Sequence, residues 1–166
     1  MTDDGGPMQF TSARDLFESA REASRDAERI QRQLAAMEGR ATSLGGGGFE
    51  PRVRSTPDPD RIGQATVEKV TLEERLAQRQ TEDYALINFA CAVLYGTDNE
   101  SGLWSLVGWR ADAIAQHYVN DNTWAVTADL MGYSEQHVRQ QVAYAFEVCD
   151  GWGIINVMRG RGAAEE

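Results

Sequence analysis

The first regular apolar pattern in the chain covers residues 12–44. Apolar residues recur every seven positions, and a second series fills the alternate places of the same repeat: Leu16, Ala23, Ile30, Met37 and Leu44, with Ala20, Ala27, Leu34 and Ala41. This spacing predicts one long amphipathic, coiled-coil-like helix, with Ser12 as its N-cap and Asp15 three residues later. Because nearly half of the stripe is alanine, the helix needs a partner. That partner is either a second copy of the chain, giving a homodimer through 12–44, or the helix predicted at 66–95.

Two segments without periodic apolar residues flank this helix. Residues 1–11 are polar and contain Gly5, Gly6 and Pro7, which predicts a disordered tail. Residues 45–65 start with a run of glycines and then contain three prolines, which predicts a Gly/Pro linker. Arg52 and Arg54 in this linker are candidates for phosphate contacts, unless they are simply solvated.

A helical domain is predicted over residues 66–153, followed by a C-terminal tail over 154–166. The start of that tail, 154–158, is interpreted as a short strand or a docked segment. Apolar spacing predicts a long helix at 66–95 and three shorter ones at 103–119, 123–131 and 135–149. Strand-like alternation of useful length does not occur. The predicted fold class is therefore all-α: a long N-terminal helix, a linker, and a helical domain that ends in a helix-turn-helix.

The helix-turn-helix is predicted within residues 103–150. Thr123 and Ser134 can cap its two helices, and Gly132 can adopt the left-handed conformation of a sharp corner. We expect the inward positions to be Val126, Leu130 and Met131, beside the small Ala128, in the first helix, and Val138, Val142, Ala145, Phe146 and Cys149 in the second. A short helix, a glycine turn and a capped second helix follow one another in the order of a DNA-binding helix-turn-helix.

The residues around this turn also carry a family resemblance. Tyr118, Thr123–Trp124, Ala128, the run Leu130–Ser134, Val138 and Ala145 together resemble the C-terminal segment of RinA/ArpU-type phage regulators of late transcription. Those proteins resemble the promoter-reading fourth region of sigma factors. The resemblance covers 65–150 by motif and 12–60 by the order of elements. It implies a phage or prophage transcription regulator that binds double-stranded DNA and contacts host RNA polymerase.

The resemblance further implies that the helix after Ser134 enters the major groove. Its exposed residues would be Glu135, Gln136, Arg139 and Gln140, with His137 and Gln141 beside them. Glutamine can recognise adenine and arginine can recognise guanine through paired hydrogen bonds. Thr123 and Ser134 would contact phosphates through their hydroxyls and the helix N-termini. Arg110 joins Arg52 and Arg54 as a candidate for phosphate contacts.

The charge of the chain favours an alternative partner. The net charge is −10, and the pI is about 4.7. Residues 103–150 contain two basic and six acidic side chains, a net charge of −4. Non-specific affinity for DNA comes almost entirely from lysine and arginine. The alternative is an acidic, non-enzymatic phage inhibitor that binds a host nucleic-acid-handling protein, in a defence system or RNA polymerase, by mimicking DNA. The coiled-coil-like helix also leaves a structural or packaging adaptor open.

Residues for catalysis or for metal or cofactor binding are not predicted, and we expect the chain not to be an enzyme. His117 and His137 lack further ligands at zinc spacing, and the acidic residues are scattered. Cys91 and Cys149 occur in apolar helical surroundings, which predicts buried free thiols in a reducing cytosol. The longest apolar run falls short of the roughly 18 residues of a membrane span. Together with the polar N-terminus, this predicts that the protein is located in the cytoplasm of a bacterial host cell.

Overall fold

The computed structural model describes residues 9–43, 59–97 and 101–160, and every regular element in these ranges is a helix. In chain order they are α1 (Ala13–Ser43), α2 (Pro59–Tyr95), α3 (Leu103–Val107), α4 (Trp109–Ile114), a π-helix (Ala115–Val119), α5 (Trp124–Met131), α6 (Glu135–Trp152) and α7 (Ile154–Arg159). The all-α prediction is therefore confirmed. Among the described helices, none has the length and apolar content needed to cross a membrane.

The chain forms two compact units. Residues 1–25 and 84–166 make up the first, here called the core unit, and residues 26–83 make up the second, the helix-pair unit. Each of the two long helices contributes to both units. The sequence predicted a separate arm over 12–44 and a helical domain that starts only at 66. That boundary is wrong for the residues up to Arg25, which belong to the same unit as α3 to α7.

The first half of α1 lies in the core because its apolar face is wider than the heptad stripe. Ala13, Leu16, Phe17 and Ala20 are all fully buried and follow the spacing of one helical face. The ring of Phe17 stacks on Phe146 of α6 at a centroid distance of 5.6 Å. Phe17 falls outside the seven-residue repeat, so the heptad pattern predicted the buried Leu16 and Ala20 but not Phe17.

The N-terminus of α1 is capped as predicted and is also tied to α6. The hydroxyl of Ser12 accepts a hydrogen bond from the amide of Asp15 at 3.1 Å. The Asp15 carboxylate accepts from the amide of Thr11, the residue before the N-cap, at 3.2 Å. The carboxylate of Asp150 accepts from the amide of Ala13 at 2.7 Å. These bonds satisfy amides that the helix itself leaves free.

The helix-pair unit joins the second half of α1 to the first half of α2. Among its described side chains, the buried apolar residues are Ala27, Ile30 and Leu76. Arg79 donates two hydrogen bonds to Asp26, at 2.7 and 2.8 Å, and the side chain of Gln80 donates to Gln31 at 2.9 Å. Of the two partners considered for α1, the helix predicted at 66–95 is thus the one it contacts in this unit.

Two acidic side chains face each other in the helix-pair unit. Burial and the neighbouring Asp26 raise the pKa of Asp83 to about 6. The hydrogen bond from Arg79 lowers the pKa of Asp26 instead. The buried Oδ2 of Asp83 lacks a hydrogen-bond partner among the described residues. One member of the pair thus retains its proton at a pH where an exposed aspartate has lost it.

Several predicted boundaries need correction. α2 starts at Pro59 and not at 66, because proline is well tolerated in the first turn of a helix. The other linker residues of 45–65, with Arg52 and Arg54, lie outside the described residues, as do 1–8 of the predicted tail. The helix predicted at 103–119 is interrupted at Gly108, whose φ is 63°, and ends as a π-helix. The predicted strand or tail after 153 is the helix α7.

Candidate nucleic-acid interface

The α5–turn–α6 segment has the predicted caps and corner. The hydroxyl of Thr123 accepts a hydrogen bond from the amide of Val126, and that of Ser134 accepts from the amide of His137, both at 3.2 Å. Gly132 between the helices has φ 77° and ψ 26°, the left-handed conformation that glycine adopts most easily. A short α5 of eight residues is therefore followed at once by a longer α6 with an ordered N-terminus.

The inward face of α5 differs from the prediction. Thr127 and Ala128 are buried, whereas Val126 is 47% exposed and Leu130 is 56% exposed. Only Met131 of the predicted large residues packs against the core. The Thr127 hydroxyl donates a hydrogen bond to the Thr123 carbonyl at 2.9 Å, so burial of this hydroxyl costs little free energy. The small side chains of Thr127 and Ala128 thus occupy the interior, and the larger Val126 and Leu130 face solvent.

The faces of α6 agree with the prediction. Its buried residues are Val138, Val142, Ala145, Phe146 and Cys149. Its first two turns expose Glu135, Gln136, Arg139 and Gln140, and leave His137 and Gln141 half-buried. The exposed start of α6 thus offers amide, carboxylate and guanidinium groups, which can all form hydrogen bonds with base edges.

The charge of Arg139 is compensated within α6. Its Nη2 lies 2.6 Å from a carboxylate oxygen of Glu135, one turn earlier. Its guanidinium also lies over the ring of Trp124, 5.5 Å from the centroid. The pair is more than half exposed at Arg139, so water weakens it and the arginine can exchange partners at low cost.

His117 is a structural residue of the interior. It is 3% exposed and stacks on Trp124 with a centroid distance of 3.6 Å. Burial and the neighbouring Arg21 lower the pKa of His117 to about 4. The ring is therefore neutral at physiological pH. Its Nδ1 donates to the Asn122 carbonyl at 2.7 Å, and its Nε2 accepts from Arg21 at 3.0 Å.

An ion-pair cluster that sequence analysis missed fastens α1 to the loop before α5. Arg21 and Arg25 donate to the carboxylate of Asp121 at 2.7 and 2.9 Å. Partial burial opposes ionisation of this carboxylate, but the hydrogen bonds from Arg25 and Arg21 outweigh it and lower the pKa of Asp121. Asp121 also has a φ of 57°, which is unusual outside glycine. A pairing across about a hundred residues leaves no local signal in a sequence.

Arg110 lies in a different setting, at one flank of α6. Its guanidinium is 5.4 Å from the ring centroids of both Trp109 and Tyr144. It donates to the side chain of Gln141 and to the carbonyl of Val107. Tyr133 stacks on Trp109 at 4.5 Å and contacts the ring of His137 at 5.0 Å. We call this set the arginine–aromatic surface: Trp109, Arg110, Tyr133, His137, Gln141 and Tyr144.

The remaining candidate residues are the two cysteines and the possible metal ligands. Cys91 and Cys149 are free thiols, Cys149 buried and Cys91 half-buried. Within the described ranges, no group of three histidine, cysteine or acidic side chains is arranged to hold a metal ion.

Comparison with protein-family models, curated proteins and solved structures gives no match. The resemblance to RinA/ArpU-type regulators therefore stays a prediction from the sequence.

Proposed function

We propose that the chain is a phage- or prophage-type transcription regulator that binds double-stranded DNA through α6. The observation that supports this most directly is the exposed start of α6. Glu135, Gln136, Arg139 and Gln140 project from a capped helix that a glycine turn joins to α5. In a helix-turn-helix, residues near the start of the second helix contact the bases.

The exposed side chains suit the hydrogen-bonding pattern of the major groove. Gln136 and Gln140 can each bond to adenine in two places, and Arg139 can do the same with guanine once it leaves Glu135. Glu135 can accept a hydrogen bond from the amino group of cytosine. In the free protein the Glu135–Arg139 pair holds both groups at the start of α6. Recognition would thus exchange an exposed ion pair for bonds to bases.

The acidic charge sets a limit on this binding. With a net charge of −4 over 103–150, few phosphates are neutralised, and we expect weak affinity for non-specific DNA. A second copy of the chain or host RNA polymerase would then supply the remaining affinity. Self-association through 12–44 would depend on Leu34 and Met37, which are half-buried, since the stripe up to Ile30 is buried within the chain.

A selection experiment tests the proposal. The full chain is incubated with a library of randomised duplexes at low and physiological salt, and the bound duplexes are sequenced. We expect a consensus that changes when Gln136→Ala is introduced. The control Gln78→Ala removes the same exposed side chain from α2 and should leave the consensus intact. Failure to enrich any sequence at either salt concentration would refute DNA recognition.

A specific observation favours the inhibitor as a second candidate. Val126 and Leu130 are large apolar side chains at the surface of α5, and Tyr133 in the turn is 48% exposed. Exposed apolar and aromatic groups beside acidic ones are suited to a protein partner. Pull-down from a bacterial lysate with wild type and Leu130→Asp tests this. A nucleic-acid-handling protein that duplex DNA displaces, and that the variant fails to retain, supports inhibition; equal retention by both contradicts it.

A further inference from the structure

Arg110 is electrostatically unlike Arg139, the other basic residue between 103 and 150. Arg139 is paired with Glu135, and Arg21 and Arg25 share Asp121. Arg110 takes part in none of the ion pairs that the described residues form. The acidic residue nearest to it in sequence, Asp112, accepts a hydrogen bond from the hydroxyl of Tyr95 at 2.6 Å. Among the residues that the structure describes, the positive charge of Arg110 thus has no carboxylate partner.

The guanidinium of Arg110 is held in place by neutral groups. Its Nε donates to the Gln141 side chain and its Nη1 to the Val107 carbonyl, so Nη2 has no partner among the described residues. Trp109 and Tyr144 contribute aromatic rings on which it rests. An arginine fixed in this way loses little side-chain entropy when it binds an anion.

The other members of the surface continue along the same flank of α6. Tyr133 precedes the helix, and His137, Gln141 and Tyr144 follow at intervals of one turn. From His137 to Tyr144 α6 rises about 10 Å at 1.5 Å per residue, which is close to the roughly 12 Å width of the major groove, and Tyr133 extends the flank beyond the start of the helix. Tyr133 and Tyr144 are 48% and 51% exposed. Both side chains are therefore accessible from solvent, and a tyrosine hydroxyl can donate a hydrogen bond.

We propose that the arginine–aromatic surface binds the sugar–phosphate backbone beside the groove that α6 occupies. Arg110 contacts one phosphate, and the hydroxyls of Tyr133 and Tyr144 contact the neighbouring phosphates. This inference rests on the proposed DNA binding. Phosphate contacts fix the orientation of a protein on the duplex, while base contacts select the sequence. The surface thus positions α6, and the exposed residues at the start of α6 read the bases.

The experiment measures the salt dependence of binding by the full chain. Dissociation constants for the selected duplex and for a scrambled duplex are determined at several salt concentrations. Arg110→Gln should weaken binding to both duplexes by about tenfold at low salt, and the slope of log K against log salt should become shallower by about 0.9. Arg110→Lys keeps the charge and should retain the wild-type slope. Tyr133→Phe and Tyr144→Phe should each weaken binding two- to threefold.

The charge-matched control is Arg32→Gln, which removes one exposed arginine from the helix-pair unit and should leave the slope unchanged. Unfolding curves of each variant show whether the fold is retained. If wild type binds the selected duplex and Arg110→Gln has the same slope, the inference is overturned while the proposed function stands. If Arg110→Gln lowers affinity for the selected duplex alone, Arg110 reads bases and the inference is wrong. If wild type binds no duplex, both fall.

Discussion

Leu16→Ala is the substitution that most directly tests how α1 packs. Leu16 is fully buried in the core unit, beside Phe17 and Ala20. Truncating a buried leucine removes its transfer free energy and leaves a cavity, and the two effects together cost about 3–5 kcal/mol. A domain is typically stable by about 5–15 kcal/mol. We therefore expect Leu16→Ala to remove a large fraction of the free energy of unfolding.

The matched control is Leu130→Ala in α5. Leu130 is 56% exposed, so the same truncation should change the free energy of unfolding by less than about 0.5 kcal/mol. Both positions are helical, so the effect of helix propensity cancels between them. The sequence predicted that Leu130 points inward and that Leu16 lies on a stripe packed against either a second copy of the chain or the helix at 66–95. The pair of variants therefore distinguishes the observed packing from the predicted one.

The assay is urea unfolding followed by circular dichroism at two protein concentrations that differ roughly tenfold. If Leu16 packs within its own chain, any dependence of the unfolding midpoint on protein concentration is the same in wild type and in Leu16→Ala. If Leu16 packs between copies, the midpoint rises with concentration in wild type and not in the variant. Two results would refute the assignment of α1 to the core. One is an equal loss of the free energy of unfolding in Leu16→Ala and Leu130→Ala. The other is an unfolding midpoint that depends on protein concentration only when Leu16 is present.

Three further predictions concern charge and backbone. Asp83 binds its proton more tightly in the folded protein, so the free energy of unfolding falls as pH rises from about 4 to 6. Asp83→Asn should remove this pH dependence and raise the free energy of unfolding at pH 7 by about 1 kcal/mol, measured by urea unfolding. Gly132→Ala should cost about 1–2 kcal/mol because φ is 77°, whereas Gly151→Ala, inside α6, should stabilise by about 0.5–1 kcal/mol. The imidazole resonances of His117, pKa about 4, should not titrate between pH 6 and 8; a midpoint there would contradict its burial.

The sequence determined the features that depend on local chemistry. The caps at Ser12, Thr123 and Ser134 and the left-handed turn at Gly132 were all predictable, because they involve residues within a few positions of each other. The buried face of α6 was predictable as well, because its large apolar residues lie on one side of a helix whose other side is polar. The all-α class follows from the same periodicity.

Only the tertiary structure decided which apolar residues are buried where helices come close together. In α5 the small Thr127 and Ala128 take the interior, although Val126 and Leu130 are more hydrophobic, since close packing of a short helix favours small side chains. In α1, Phe17 joins the core through ring contacts with Phe146 and Tyr118, which lie about a hundred or more residues later in the chain. Periodicity identifies a face, but the shape of the neighbouring element selects among faces of similar hydrophobicity.

Charge compensation is likewise a property of the tertiary structure. The sequence contains two basic residues between 103 and 150 that look equivalent. The Glu135–Arg139 pair is one turn apart and follows from the helix itself, whereas the neutral side chain of Gln141 reaches Arg110 only in the folded protein. Folding also brings Arg21 and Arg25 to Asp121 from the far end of the chain. Ion pairs form only when the charged groups lie within a few ångströms of each other. For residues that are distant in the chain, the sequence does not specify that distance.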